Sequence, residues 1–225
     1  MLVKNWMDPR VITIEADESM QKAAALMKKN DLMMLPVMRK GRLVGVVTDR
    51  DIKRASASGT AALSGHELRY LTEQTKISEI MSKDPITVPP DHTIEETAEL
   101  LLAERISSVP VVADDGKVVG TVSQADVFRV MISLTGLNKR GIQYGLIVKD
   151  QPGAVKEAEE VIRKYGGRVA SILTSYKDAP KNHRKVYIRM YNIDRTKLDE
   201  LKNDLQKAAQ LLYMVDFREN TRDVY

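Results

Sequence analysis

The chain carries 225 residues, 43% of them hydrophobic, with 35 basic and 31 acidic side chains, three histidines and no cysteine. That is apolar material enough for one large domain or two ordinary ones, and it leaves out disulfides, thiol nucleophiles and Cys-based metal sites. The charge is uneven: residues 1–135 hold 17 basic and 19 acidic groups, and 136–225 hold 18 and 12.

The opening Met1-Leu2-Val3-Lys4-Asn5-Trp6 lacks the charged-then-apolar layout of a signal peptide, and no apolar run reaches the eighteen or so residues of a membrane span. A cytoplasmic location with no membrane association is therefore expected. A short strand is predicted at 11–14, then a helix at 18–29 with Met20, Ala23, Ala24 and Met27 at helical spacing and Asp17 in the N-cap position. Strands at 33–38 and 43–47, joined through Arg39-Lys40-Gly41, read as a hairpin, and a helix starts near Thr48. Residues 55–80 connect, with a loose Ser/Ala/Gly stretch at 55–65.

The same order then returns. A strand at 86–88 is followed by a helix at 92–104 carrying Ile94, Ala98, Leu101 and Leu102, with Asp91 before it and the capping-box form Thr93-Ile94-Glu95-Glu96 at its start. A hairpin of 108–112 with 118–122 leads to a helix beginning near Ser123. Met7 answers to Met81 and Pro36-Val37 to Pro110-Val111 at an offset of 74, which becomes 75 from Gly41/Gly116 onward through the extra residue in Ala113-Asp114-Asp115-Gly116. A period this long is a domain duplication, not a solenoid repeat.

The duplication ends each time on a polar motif, Gly45-x-x-Thr48-x-x-Asp51 and Gly120-x-x-Ser123-x-x-Asp126. A carboxylate at Asp51 or Asp126 can accept from both hydroxyls of a ribose. A hydroxyl at Thr48 or Ser123 stands beside a helix N-terminus, where unsatisfied N–H groups and the helix dipole favour a phosphate. The same residues also spell a capping box with Asp in the Glu position, so a purely structural role stands beside the binding role. The first copy is the more cationic, with Arg50, Lys53 and Arg54 around Asp51, against Ala125, Val127, Phe128 and Arg129 in the second. The first pocket is expected to prefer more phosphate charge.

Two complete units, each with a leading Met, a hydrophobic-Pro-Val step and a Gly-x-x-Thr/Ser-x-x-Asp ending, resemble the cystathionine-β-synthase (CBS) domain family. The resemblance implies an α/β pair packed by its sheets as a pseudo-twofold disc, with 1–60 as the first domain, 61–76 as a connecting segment and 77–135 as the second. It also implies two clefts for adenine nucleotide (AMP, ADP or ATP), or for NAD or S-adenosylmethionine. The base would lie against Val11, Ile12, Thr13, Met34, Leu35 and Pro36 in the first cleft, and against Ile86, Thr87, Ser108, Val109 and Pro110 in the second. Arg50, Arg54 and Arg129 complete the expected nucleotide-binding sets.

After a linker at 136–141 the pattern changes. A strand at 143–149, the turn Asp150-Gln151-Pro152-Gly153, a helix bearing Val155, Ala158, Val161, Ile162 and Tyr165, and the pair Gly166-Gly167 come in order. Strands at 168–176 and 184–191 flank Asp178-Ala179-Pro180, and a helix with Leu198, Leu201 and Leu205 precedes a strand at 211–217. This is βαββαβ, a ferredoxin-like α+β plan over 142–218 with a tail at 219–225. Basic residues here, such as Lys181, Arg184 and Lys185, are interleaved with strand residues and describe a solvated face, not a nucleic-acid footprint.

The stretch resembles the ACT family, in which an Asp-x-Pro-Gly loop helps bind small effectors at a dimer interface. That implies an effector set of Asp150, Gln151, Pro152, Gly153 and Arg168. Arg168 stands where the family usually has Asn and offers only donors, which points to an anionic effector, a partner carboxylate or no ligand. As bare residues Asp150–Gly153 equally describe a turn into a helix. A CBS pair followed by an ACT-like domain is similar to the acetoin-utilisation protein B group.

The expected function is a non-catalytic regulatory sensor: a homodimer reading an adenosyl ligand, with a second small molecule or dimerisation at the C-terminal domain and a regulated partner protein. An assembly module with empty clefts is the alternative, and an enzyme is the third. His66, His92 and His183 are too dispersed for a metal site, and no nucleophile set or Gly-rich phosphate loop is present.

Overall fold

The computed structural model describes residues 1–57 and 72–225, so the Ser/Ala/Gly stretch beyond residue 57 and most of the connecting segment lie outside the described residues. Two compact units emerge, Met1–Phe128 and Arg129–Tyr225.

In the first unit the first repeat runs β1 (Ile14–Glu15), α1 (Met20–Asn30), β2 (Met34–Arg39), β3 (Arg42–Thr48) and α2 (Asp49–Ala57). A short helix α3 (Ile77–Ile80) and β4 (Ser82–Lys83) lead to α4 (Ile94–Ala103), β5 (Ser108–Val112), β6 (Val118–Ser123) and α5 (Gln124–Leu134), within which the unit boundary falls. The hairpins close where the sequence places them. Lys40 and Gly41 both adopt positive φ, 51° and 75°, the geometry that joins two twisted strands in two residues.

Three local expectations are corrected. The first strand is only Ile14–Glu15, pairing parallel with Val37 and Met38, and in the second repeat only Val88 forms a bridge, to Val111. The helices begin two residues later than Asp17 and Asp91 suggest: Ser19 accepts from Lys22 N–H, and Thr93 forms a full capping box with Glu96. In both repeats a hydroxyl three residues ahead of a free N–H does the capping, and the earlier Asp stays outside the helix.

The two repeats exchange their leading segments. β4, from the start of the second repeat, pairs with β3 of the first (Gly45 with Lys83, Val46 with Ser82), and Asp8 of the first bridges Thr121 of the second. The leaders dock the same way: Val3 N–H donates to His92 O, and Ile77 N–H to Glu18 O. Val3 and Ile77 are both fully buried, Ile77 in the core of the first repeat with Ile14, Met20, Leu35, Val37 and Val47. The glycines before the polar motifs permit this crossing. A Cβ on Gly45 would lie 2.7 Å from Ser82 O and 2.8 Å from Met81 Sδ, and one on Gly120 would lie 2.6 Å from Asp8 O and 2.8 Å from Met7 Sδ.

The second unit is a five-stranded antiparallel sheet with β7 (Ile142–Lys149), β8 (Arg168–Ser175), β9 (His183–Tyr191), β10 (Gln210–Asp216) and β11 (Thr221–Val224) in the order β11-β10-β7-β9-β8. Helices α6 (Ala154–Lys164) and α7 (Leu198–Ala208) bury Ala154, Ala158, Ile162, Leu201 and Leu205 in one core with Tyr144, Leu146, Ile188 and Met190. Asp204 of α7 accepts from Lys164 and from the Tyr165 hydroxyl at the end of α6. The four strands β7 to β10, with α6 and α7 between them, realise the βαββαβ order.

The expected tail at 219–225 is instead a strand. Asp216 accepts from the N–H groups of Arg218 and Glu219, turning the chain so that β11 pairs along β10. A reversal fixed by one buried carboxylate has no hydrophobic period to announce it.

Candidate functional site

In both repeats the closing helix starts in the same way. Thr48 is the last residue of β3, opposite Met34 of β2, and Ser123 is the last of β6, opposite Ser108 of β5. The first helical N–H is taken by the neighbouring strand's lead-in, Asp49 N–H to Met33 O and Gln124 N–H to Ser107 O. Asp51 Oδ2 accepts from the Thr48 amide at 2.9 Å and hydroxyl at 2.7 Å, and Asp51 N–H reaches Thr48 Oγ1 at 3.3 Å. The second copy repeats this at 2.8, 2.6 and 3.3 Å through Ser123 and Asp126. Asp51 and Asp126 are 7% and 8% exposed, carboxylates that have left water and are held by hydrogen bonds. The capping box read from the sequence is therefore formed twice, each time through Oδ2.

Cations complete the first site. Arg54 Nη2 donates to Asp51 Oδ1 at 2.7 Å, and Lys53 pairs with Asp49 at 2.8 Å. Arg50, exposed in the first turn of α2, is the member of this basic group with no ion-pair partner among the described residues.

The remaining expected contacts divide by burial. Val11 is 47% exposed and Ile86 38%, with Thr87 exposed beside it, while Ile12 packs against the core and Thr13 is half-buried. Leu35 and Val109 turn their side chains into the interior, leaving only backbone to offer a cleft. Pro36 and Pro110 are buried, and Met34 is buried outside the core cluster that holds Leu35. Arg129 begins the second unit of the chain.

The C-terminal set is not gathered in one place. Asp150 lies near Arg184 Nε at 3.5 Å and the Tyr176 hydroxyl at 3.4 Å, and Gln151, Pro152 and Gly153 are exposed, with Gly153 at φ 90°. Lys149 pairs with His183 and Arg168 with Tyr191, so Arg168 stands at the other end of β9, about 27 Å along the strand. Sequence reasoning missed Arg184 and Tyr176 as the partners of Asp150. The β7–β9 and β8–β9 registers together bring them there. Among the described residues, no group of three His, Asp or Glu could hold a metal, and no helix is long and apolar enough to cross a membrane.

The CBS domain pattern matches residues 3–58 and 77–133, just over half of the chain. The chain belongs to the CBS domain family. The CBS protein YhcV of Bacillus subtilis is 32% identical over 126 residues, which cover 56% of this chain and 81% of YhcV. Inosine-5′-monophosphate dehydrogenase of Korarchaeum cryptofilum is 35% identical over 120 residues, but the chain spans only 22% of that enzyme.

Among solved structures, the CBS pair of protein MJ0100, in complex with 5′-methylthioadenosine and S-adenosyl-L-methionine, is similar at 31% identity and a TM-score of 0.50, covering 58% of this chain and 95% of that one. A Vibrio cholerae protein named for acetoin utilization (AcuB) is similar at 25% identity and a TM-score of 0.51, covering 61% and 95%. The duplicated box at Thr48/Asp51 and Ser123/Asp126 thus lies in a CBS pair, one box in each domain.

Proposed function

We propose that this protein is a non-catalytic regulatory sensor whose CBS pair binds an adenosyl ligand, with a C-terminal ACT-like domain that senses a second small molecule or dimerises. The duplicated hydroxyl–carboxylate box carries the reading: in each cleft a buried carboxylate and a short hydroxyl stand together at a helix start. The adenosyl ligands of the MJ0100 pair support the ligand class, and the V. cholerae protein supports acetoin utilization as a setting. The ACT assignment rests on the βαββαβ order and the Asp150–Gly153 loop, with Arg184 as a further cation there.

A thermal-shift panel of AMP, ADP, ATP, NAD and S-adenosylmethionine tests the reading, because a ligand of the native state raises the melting temperature at saturation. A rise with at least one is expected; no shift with any of them sinks it and favours an assembly module. The first cleft, with Arg50 available and Arg54 on Asp51, is assigned the more highly charged nucleotide. If Asp51→Ala left ATP binding intact and Asp126→Ala abolished it, that ordering would be wrong.

A further inference from the structure

The two clefts differ at one position of the hairpin that neither their motifs nor their charges announce. Ser108 and Met34 correspond through the 74-residue offset and occupy the same place in the hairpin, Ser108 opposite Ser123 and Met34 opposite Thr48. Side chains directly opposite in an antiparallel pair share a face of the sheet, so each stands in the same row as the hydroxyl that begins the closing helix. Ser123 Oγ is already engaged with Asp126. Ser108 Oγ is sealed from solvent and makes no hydrogen bond among the described residues. A buried hydroxyl without a partner costs free energy that an apolar side chain in its place avoids. The first cleft has that apolar solution, a Met34 that is 4% exposed.

We infer that Ser108 is the ligand-reading hydroxyl of the second cleft, donating to the 5′-phosphate of a nucleoside monophosphate seated at the start of α5. The inference rests on the adenosyl-ligand reading and deepens it. The row that Ser108 shares runs into an eleven-residue helix whose N-terminal dipole favours an anion, so the phosphate is the ligand group that fits there. The first cleft offers a thioether in the corresponding place. It lacks that hydroxyl donor and holds phosphate charge through the exposed Arg50 instead. The two clefts then hold phosphate by different means, a hydroxyl in the second and a guanidinium in the first.

Calorimetric titration of the full chain with AMP and with adenosine, in unmutated, Ser108→Ala and Ser108→Thr forms, tests this. A hydrogen bond to a charged group predicts that Ser108→Ala weakens AMP by about tenfold or more while adenosine binding changes little, and that Ser108→Thr, which keeps the hydroxyl, retains AMP. Unliganded Ser108→Ala should melt no lower than the unmutated protein, since it removes an unpaired buried group. An equal loss of AMP and adenosine, or no loss of either, overturns the role of Ser108 while leaving the adenosyl reading in place. Failure of unmutated protein to bind either compound overturns both.

Discussion

Gly120→Ala puts the exchange of leading segments to the test. The added Cβ would sit 2.6 Å from Asp8 O and 2.8 Å from Met7 Sδ, so the Met7–Asp8 segment must move away by most of an ångström. Asp8 and Thr121 exchange two backbone hydrogen bonds, Asp8 N–H to Thr121 O at 2.9 Å and Thr121 N–H to Asp8 O at 3.1 Å, and that movement breaks both. Each bond contributes about 0.5–1.5 kcal/mol, and forcing a methyl group into a packed site costs about 1–3 kcal/mol more. Against this, Ala loses less chain entropy than Gly on folding, worth about 0.4–1 kcal/mol. The net expectation is a loss of about 1–5 kcal/mol, from the same terms. Trp6, the single tryptophan, precedes the displaced segment and reports it directly in urea unfolding followed by fluorescence. Gly116→Ala is the contrast. Its Cβ meets nothing within 4 Å but its φ is +79°, so it should cost about 1–2 kcal/mol with native Trp6 emission unchanged. A Gly120→Ala protein within about 0.5 kcal/mol of the unmutated one, the scatter of an ordinary surface change, would refute the argument.

Leu35→Ala, at a fully buried position, should cost about 2–5 kcal/mol in denaturant unfolding, whereas exposed Val11→Ala should leave stability nearly unchanged; the reverse would mean that Leu35 lines the cleft. Tyr144→Phe should hold or raise the melting temperature, because the Tyr144 hydroxyl is buried with no hydrogen-bond partner among the described residues and burial pushes its ionisation far upward. Burial pushes the Asp216 carboxyl up, but Arg195 and the N–H groups of Arg218 and Glu219 outweigh it and hold the group below the usual carboxylate range. Its stabilisation is therefore present above the unfolded carboxylate pKa of about 3.9 and is lost as pH falls through the lower folded value. An Asp216→Asn protein should accordingly show a shallower fall in stability across that acid range than the unmutated protein, and an unchanged slope would count against the Arg195 pairing.

Most of the element order was legible because apolar period, turn glycines and hydroxyl–carboxylate caps are local signals. Val37, Val47 and Leu35 alternate or run as buried strands should, and Thr93 with Glu96 states its own helix start. What escaped the sequence is long-range. Nothing near Met81 says that β4 will pair across to Gly45, although the paired recurrence of Met7/Met81 and Gly45/Gly120 holds that information once the contact is known. The β11 strand escaped because Thr221–Val224 is polar and rests on the Asp216 turn. Asp150 and Arg168 were read together from a family pattern, yet the β8–β9–β7 register separates them within one chain.

The capping role and the binding role of the duplicated box, rivals in the sequence, are compatible in the fold because a carboxylate has two oxygens. Asp51 spends Oδ2 on the Thr48 amide and hydroxyl, which fixes the carboxylate in one orientation before any ligand arrives. Oδ1 is left toward Arg54, and an ionised oxygen with two lone pairs can accept a ribose hydroxyl while keeping one guanidinium bond. On the proposed adenosyl-ligand reading, the cap preorganises the acceptor and so lowers the ordering cost of binding. The exchanged segments extend the consequence to both clefts. β3, which ends at Thr48, is flanked by β4 of the second domain, and Thr121, two residues before Ser123, is bridged by Asp8 of the first. A ligand that tightens either box stiffens a strand held by the other domain. Coupling between the clefts then follows if the second domain's grip differs between liganded and empty states, since a ligand shifts a conformational balance only through its differential affinity for the two states.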